Sequence, residues 1–144
     1  MPTLVPVEEL VFICGALPDI GRSLVNQIDH DGALSDEWMA EPDPSTEAAA
    51  RRLMFNDCDD ATAGWGLTTV RIFNPPRVYE EVTPLKRWPE VPETYIVGMQ
   101  DRIIRPEWSR RAVAVRLDVT PIEIEGGHCP QVSMPERLAE LMDV

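Results

Sequence analysis

Two residues have the type and the setting for acid–base chemistry. His128 stands in Gly126-Gly127-His128-Cys129-Pro130, and Asp101 follows the apolar run Thr94-Tyr95-Ile96-Val97-Gly98. Imidazole titrates nearest neutral pH of the ordinary side chains, so it can take up a proton and return it. A histidine on a glycine-rich turn between a strand and a helix is held at a sheet's edge, free to face a pocket. A carboxylate that accepts its ring N–H fixes the tautomer and stabilises the cation that forms. Such a pair is two thirds of a nucleophilic triad. Each residue also has a plainer account: His128 merely hydrogen-bonds its own loop, or Asp101 pairs with Arg102 or Arg105.

The elements around them favour the pair. Pro121-Ile122-Glu123-Ile124-Glu125 reads as a strand before the histidine turn, and residues 94–98 read as a strand before Asp101. Loops that follow consecutive parallel strands lie on one edge of the sheet. Asp118, a competing carboxylate, sits at a helix end and so on the opposite edge. Leu10-Val11-Phe12-Ile13-Cys14 is a continuous apolar run, the pattern of a strand buried on both faces. Pro106 starts a helix over 107–117 with Trp108, Ala112 and Val115 at helical spacing. Ser133 and Glu136 form a capping box for a last helix over 136–142. Strands alternating with helices predict an α/β fold, a three-stranded parallel sheet with flanking helices.

Between the first two strands lies a helical excursion. Residues 22–43 have a loose pattern, with turn chemistry at Asp29-His30-Asp31-Gly32 and one helical turn at Ser35–Met39. Asp43 and Pro44 provide an N-cap and a first helical residue for a helix reaching Phe55. Asn56-Asp57 breaks it. Asp57-Cys58-Asp59-Asp60 reads as a junction whose role is capping, with Asp59 or Asp60 opening a second helix to about Ile72. Gly64 and Gly66 each weaken that helix by ~1 kcal/mol relative to Ala, and close packing against a neighbour is one physical reason to keep them. Pro75, Pro76, Pro84, Pro89 and Pro92 make 75–93 an extended connector. Trp38, Met39 and Phe55, with Trp65, either line a pocket or belong to the core.

Composition narrows the class. The 144 residues suit one modest domain. A net charge of −12 argues against nucleic acid and anionic membrane surfaces as partners, and predicts an acidic cytoplasmic surface. Cys14, Cys58 and Cys129 are widely spaced and suggest neither a metal motif nor a disulfide framework. Asp29, His30 and Asp31 are adjacent, and adjacent residues rarely converge on one ion. No span is long and apolar enough for a membrane helix, and Glu8 and Glu9 interrupt the first apolar stretch, which makes it a poor signal peptide.

The third member of the triad is missing from the sequence. No GxSxG elbow occurs, and no HGGG-type oxyanion segment. Of Ser23, Ser35, Ser45, Ser109 and Ser133, none lies on a strand-to-helix elbow.

In order along the chain, four pieces resemble the C-terminal half of an α/β-hydrolase of the esterase and hydroxynitrile-lyase-like branch. They are Leu10–Pro18 with Gly21-Arg22-Ser23-Leu24, Phe55-Asn56-Asp57-Cys58, Tyr95–Gly98 with Asp101-Arg102 and Pro106-Glu107, and Gly127–Pro130 with Ser133, Pro135 and Glu136. The resemblance implies that residues 16–75 form a helical cap, that Asp101 is the triad acid and that His128 is the base. It implies a small ester as substrate, and no metal or organic cofactor. It makes the chain a single partial domain whose serine comes from a missing N-terminal half. The alternative is a non-catalytic remnant or interaction module that pairs through an exposed sheet edge at Leu10–Cys14. Either way, self-association is expected of the chain made alone.

Overall fold

The computed structural model describes residues 6–70 and 77–142. Three parallel strands form one open sheet in the order β1 (Leu10–Ile13), β2 (Glu93–Gly98), β3 (Ile122–Ile124). Leu10 pairs with Glu93 and Ile13 with Ile96, and Ile96 pairs onward with Ile122. Strand geometry sends alternate side chains to opposite faces. Tyr95 and Val97 of β2 accordingly enter one core with Leu17, Leu53, Trp108, Ala112 and Val113. Ile96 enters another, with Ile124 and Leu138. The helix α6 (Pro106–Arg116) thus covers one face, and α8 (Pro135–Leu141) the other.

The expectation that Leu10–Cys14 is buried on both faces is not met by β1, whereas Tyr95 to Gly98 of β2 are buried. Val11 is 37% exposed, because β1 is the end strand and has no neighbour on one side among the described residues. Phe12 still packs on the first core, edge-on to Trp88 and stacked on Tyr95. The Tyr95 hydroxyl donates to Gly15 O just beyond β1. Burial pushes that phenol up to about 12, so it stays a donor.

The excursion is more regular than its sequence suggests. Part of the loosely patterned stretch, including Asp29 to Asp31 of the expected turn, forms α1 (Leu24–Asp31), capped by Ser23 and closed by Gly32 in the left-handed region (φ 65°). Its polar side chains are tied from outside the helix: Arg22 bonds Asp31, and Arg116 bonds both Asp31 and the buried Gln27. The short α2 (Asp36–Met39) follows the Ser35 cap. α3 (Glu47–Leu53) starts later than expected, at Thr46, since Asp43 spends its carboxylate on the Ser45 N–H and hydroxyl. α4 (Asp60–Thr69) is capped by Asp59, and it ends short of the expected Ile72, since Val70 is already extended. Ile72, Pro75 and Pro76 lie outside the described residues, and the rest of the proline-rich connector contains one helical turn, α5 (Arg77–Glu80). Among the described residues no helix is long and apolar enough to cross a membrane.

The two glycines of α4 separate cleanly. A Cβ at Gly66 would lie 2.8 Å from Phe55 Cε1 and 3.2 Å from Val132 Cγ1, whereas one at Gly64 meets only Arg51 Nη2 at 3.5 Å. Gly64→Ala is therefore expected to raise stability by ~1 kcal/mol through helix propensity, and Gly66→Ala to lower it by about 1–3 kcal/mol through overpacking. Urea denaturation of the two variants reads both signs, and equal shifts would refute the packing argument.

Candidate active site

The site is built where β2 and β3 end. Past the ladder the two exit loops go on bonding to one another: Met99 N–H donates to Ile124 O and Gln100 N–H to Gly126 O, each at 2.9 Å. The loops can close this far because position 98 has no side chain. A Cβ there would stand 2.3 Å from Gly127 O.

Asp101 and His128 meet across this junction. Asp101 Oδ1 accepts from the N–H groups of Ile103 (2.7 Å) and Ile104 (3.0 Å), which fixes the carboxylate in the turn before α6. Its Oδ2 lies 2.9 Å from His128 Nδ1. The carboxylate is 4% exposed and the imidazole 21%. A carboxylate only accepts, so a neutral ring carries its proton on Nδ1, leaving Nε2 an acceptor with no protein partner among the described residues. Such an arrangement can draw a proton from a hydroxyl presented at Nε2.

Two further residues reach the same place: Asn56 and Asp57, which the sequence marks as a helix break, with Asp57 also in the capping junction 57–60. Asp57 Oδ2 accepts from Gly127 N–H at 2.8 Å, and Asn56 Nδ2 donates to Gln100 O at 3.1 Å. The cap of α4 is Asp59, not Asp57. Nothing local marks Asp57 for this, since its partner is 70 residues away.

The thiols surround the site without taking part in it. Cys14, in the left-handed region (φ 47°), turns its Sγ to 3.7 Å from Gly127 O. Burial first, then the charge of Asp101, pushes both Cys14 and Cys129 up to about 12. Burial and Asp57 also raise Cys58. Thiols so held are poor nucleophiles at neutral pH.

The structure does not bring the expected pocket lining together. Trp38 packs against the main core, Met39 is 65% exposed, and Phe55 is 2% exposed among Ala63, Cys129 and Val132. The Ser133–Glu136 capping box does not form. Pro135 takes the first position of α8 and moves the cap to Met134, and Ser133 ends the preceding turn α7 (Pro130–Ser133) with its hydroxyl buried and without a partner among the described residues. Among the described residues no serine hydroxyl bonds His128, and no group of three or more His, Cys, Asp or Glu is placed to hold a metal ion.

An open parallel sheet with flanking helices and this edge are features of one large class, and the chain belongs to it: the family model of the alpha/beta hydrolase family matches residues 3–141. Among solved structures it is similar to polyneuridine aldehyde esterase, with a TM-score of 0.69 at 17% identity, covering 95% of this chain and 62% of that one. A point mutant of the same esterase gives a TM-score of 0.68 at 17% identity, covering 94% and 61%. The chain thus spans less than two thirds of the length of these structures, and the likeness is one of fold. No curated protein sequence matches it.

Proposed function

We propose that this chain supplies the acid and the base of a serine hydrolase acting on small esters. The observation that carries the reading is the Asp101–His128 bond, with Nε2 left open. In it His128 takes the proton of a serine hydroxyl as that oxygen attacks the ester carbonyl, then returns it to the departing alcohol. Asp101 holds the ring tautomer and offsets the positive charge in between. The serine comes from a segment outside these 144 residues, whose strand joins the open side of β1. The helices α1–α4 act as the cap that shapes the acyl or alcohol pocket. A cytoplasmic setting suits three free thiols.

A second reading draws on the same open edge. There β1 pairs with another chain, and the protein is an interaction module without catalysis. A fluorophosphonate ester probe separates the two. The folded chain alone should gain no mass beyond a heat-denatured control. Joined to a serine-bearing segment with a GxSxG elbow, it should label at that serine and hydrolyse p-nitrophenyl acetate. A native-only adduct on Ser23, Ser35, Ser45, Ser109 or Ser133 would place the nucleophile within the chain. A well-folded joined protein without labelling would favour the second reading.

A further inference from the structure

We propose that Asn56 and Asp57 are positioning residues that hold the acid and the base in register with one another, an inference that rests on reading Asp101 and His128 as that pair. The two side chains are adjacent in sequence and diverge onto the two loops of the site. Asn56 Nδ2 bonds the carbonyl of Gln100, the residue before Asp101. Asp57 Oδ2 takes the N–H of Gly127, the residue before His128. One dipeptide therefore clamps the residue ahead of each functional residue, Gln100 by its carbonyl and Gly127 by its N–H.

The clamp is anchored from behind. Asn56 and Asp57 lie on the turn between α3 and α4, closed by Cys58 N–H donating to Phe55 O at 3.0 Å. Phe55 is fully packed against Ala63, Cys129 and Val132. The fit at the front is close: a Cβ at Gly127 would lie 2.6 Å from Asn56 Oδ1 and 2.7 Å from Asp57 Oδ1. Those same two oxygens are buried with no donor among the described residues. Each side chain thus makes one bond to a site loop, Asn56 through its Nδ2 and Asp57 through its Oδ2, and leaves its Oδ1 unpaired among the described residues, an arrangement that lowers stability. It is not a helix cap either, since Asp59 fills that role. The two loops the residues join are what account for them.

Neither residue touches Nε2, so the test reads the ring rather than turnover. Long-range 15N–1H spectra of the folded chain report the tautomer of His128, with His30→Gln used to assign the signals. The wild-type ring should be held as the Nδ1–H tautomer. Asp57→Ala should let it drift toward the mixture of a ring free in water, and speed exchange of the Gly127 amide by at least about 10-fold. Asp57→Asn keeps an acceptor for that amide and should restore both signals. Asn56→Ala cuts the other tether and should move the tautomer in the same direction by less.

A merely structural residue would lower the melting temperature without moving the tautomer. If Asp57→Ala does not fold, Asn56→Ala decides: a wild-type tautomer there overturns the proposal. A held tautomer in wild type that survives both alanine variants overturns the positioning role and leaves the acid–base pair standing. A wild-type ring with no Nδ1–H preference overturns both.

Discussion

Asp101→Asn should slow ester hydrolysis by the completed protein about 10⁴-fold with the fold intact. The substituted amide can keep its oxygen on the N–H groups of Ile103 and Ile104, where Asp101 Oδ1 now accepts two hydrogen bonds. Its NH₂ group then faces His128 Nδ1 in place of a carboxylate oxygen. Two donors cannot share that space, so Nδ1 must become the acceptor and the ring proton moves to Nε2. In the proposed mechanism Nε2 receives the serine proton, and in this variant it is already occupied. His128→Ala, which removes the base altogether, should cost about 10⁶-fold. Turnover of p-nitrophenyl acetate beside far-UV circular dichroism checks both. A folded Asp101→Asn protein within about tenfold of wild type would mean that the carboxylate does not set the tautomer.

Gly98→Ala should have the largest effect on the fold, a loss of more than about 3 kcal/mol or failure to fold. The added methyl would lie 2.3 Å from Gly127 O, 2.7 Å from Gly126 O and 3.2 Å from Cys14 Sγ. The first two are backbone carbonyls of the histidine turn. They cannot swing aside as a side chain does, so relief requires β2 and the turn to part, which breaks the Gln100–Gly126 bond as well. Gly127→Ala should be milder, since its methyl meets the ends of Asn56 and Asp57. A urea midpoint for Gly98→Ala close to that of wild type would show that the loops are not packed this tightly.

The strands were legible because their signal is dense and local. The apolar runs at 10–14, 94–98 and 121–125 coincide with β1, β2 and β3 to within a residue or two. That Asp101 and His128 should come to lie on one edge followed from the strand order alone. α1 was missed because its sequence is mostly polar and its stability comes from elsewhere. Arg22 and Arg116 gather Asp31 and Gln27 from outside the helix, and no periodicity records that. The start of α3 was misplaced because Asp43 and Thr46 are both good caps, and only the Asp43–Ser45 turn decides between them. Ser133 was misread because a capping motif was weighed without the proline inside it. Asp57 was visible as part of Phe55-Asn56-Asp57-Cys58, but the direction its carboxylate takes is a tertiary fact.

The contacts that hold the edge together span long stretches of chain: 27 residues between Asp101 and His128, 44 between Asn56 and Gln100, 70 between Asp57 and Gly127, and 113 between Cys14 and Gly127. Each closes a large loop, and loop closure is an entropic cost met before the contact returns anything. Such pairings form slowly and depend on neighbours that have already assembled. No nascent helix or early hairpin can hold the imidazole against the carboxylate. The proton between Asp101 and His128 is therefore a clock for folding, settling into place only when chain from both ends has arrived.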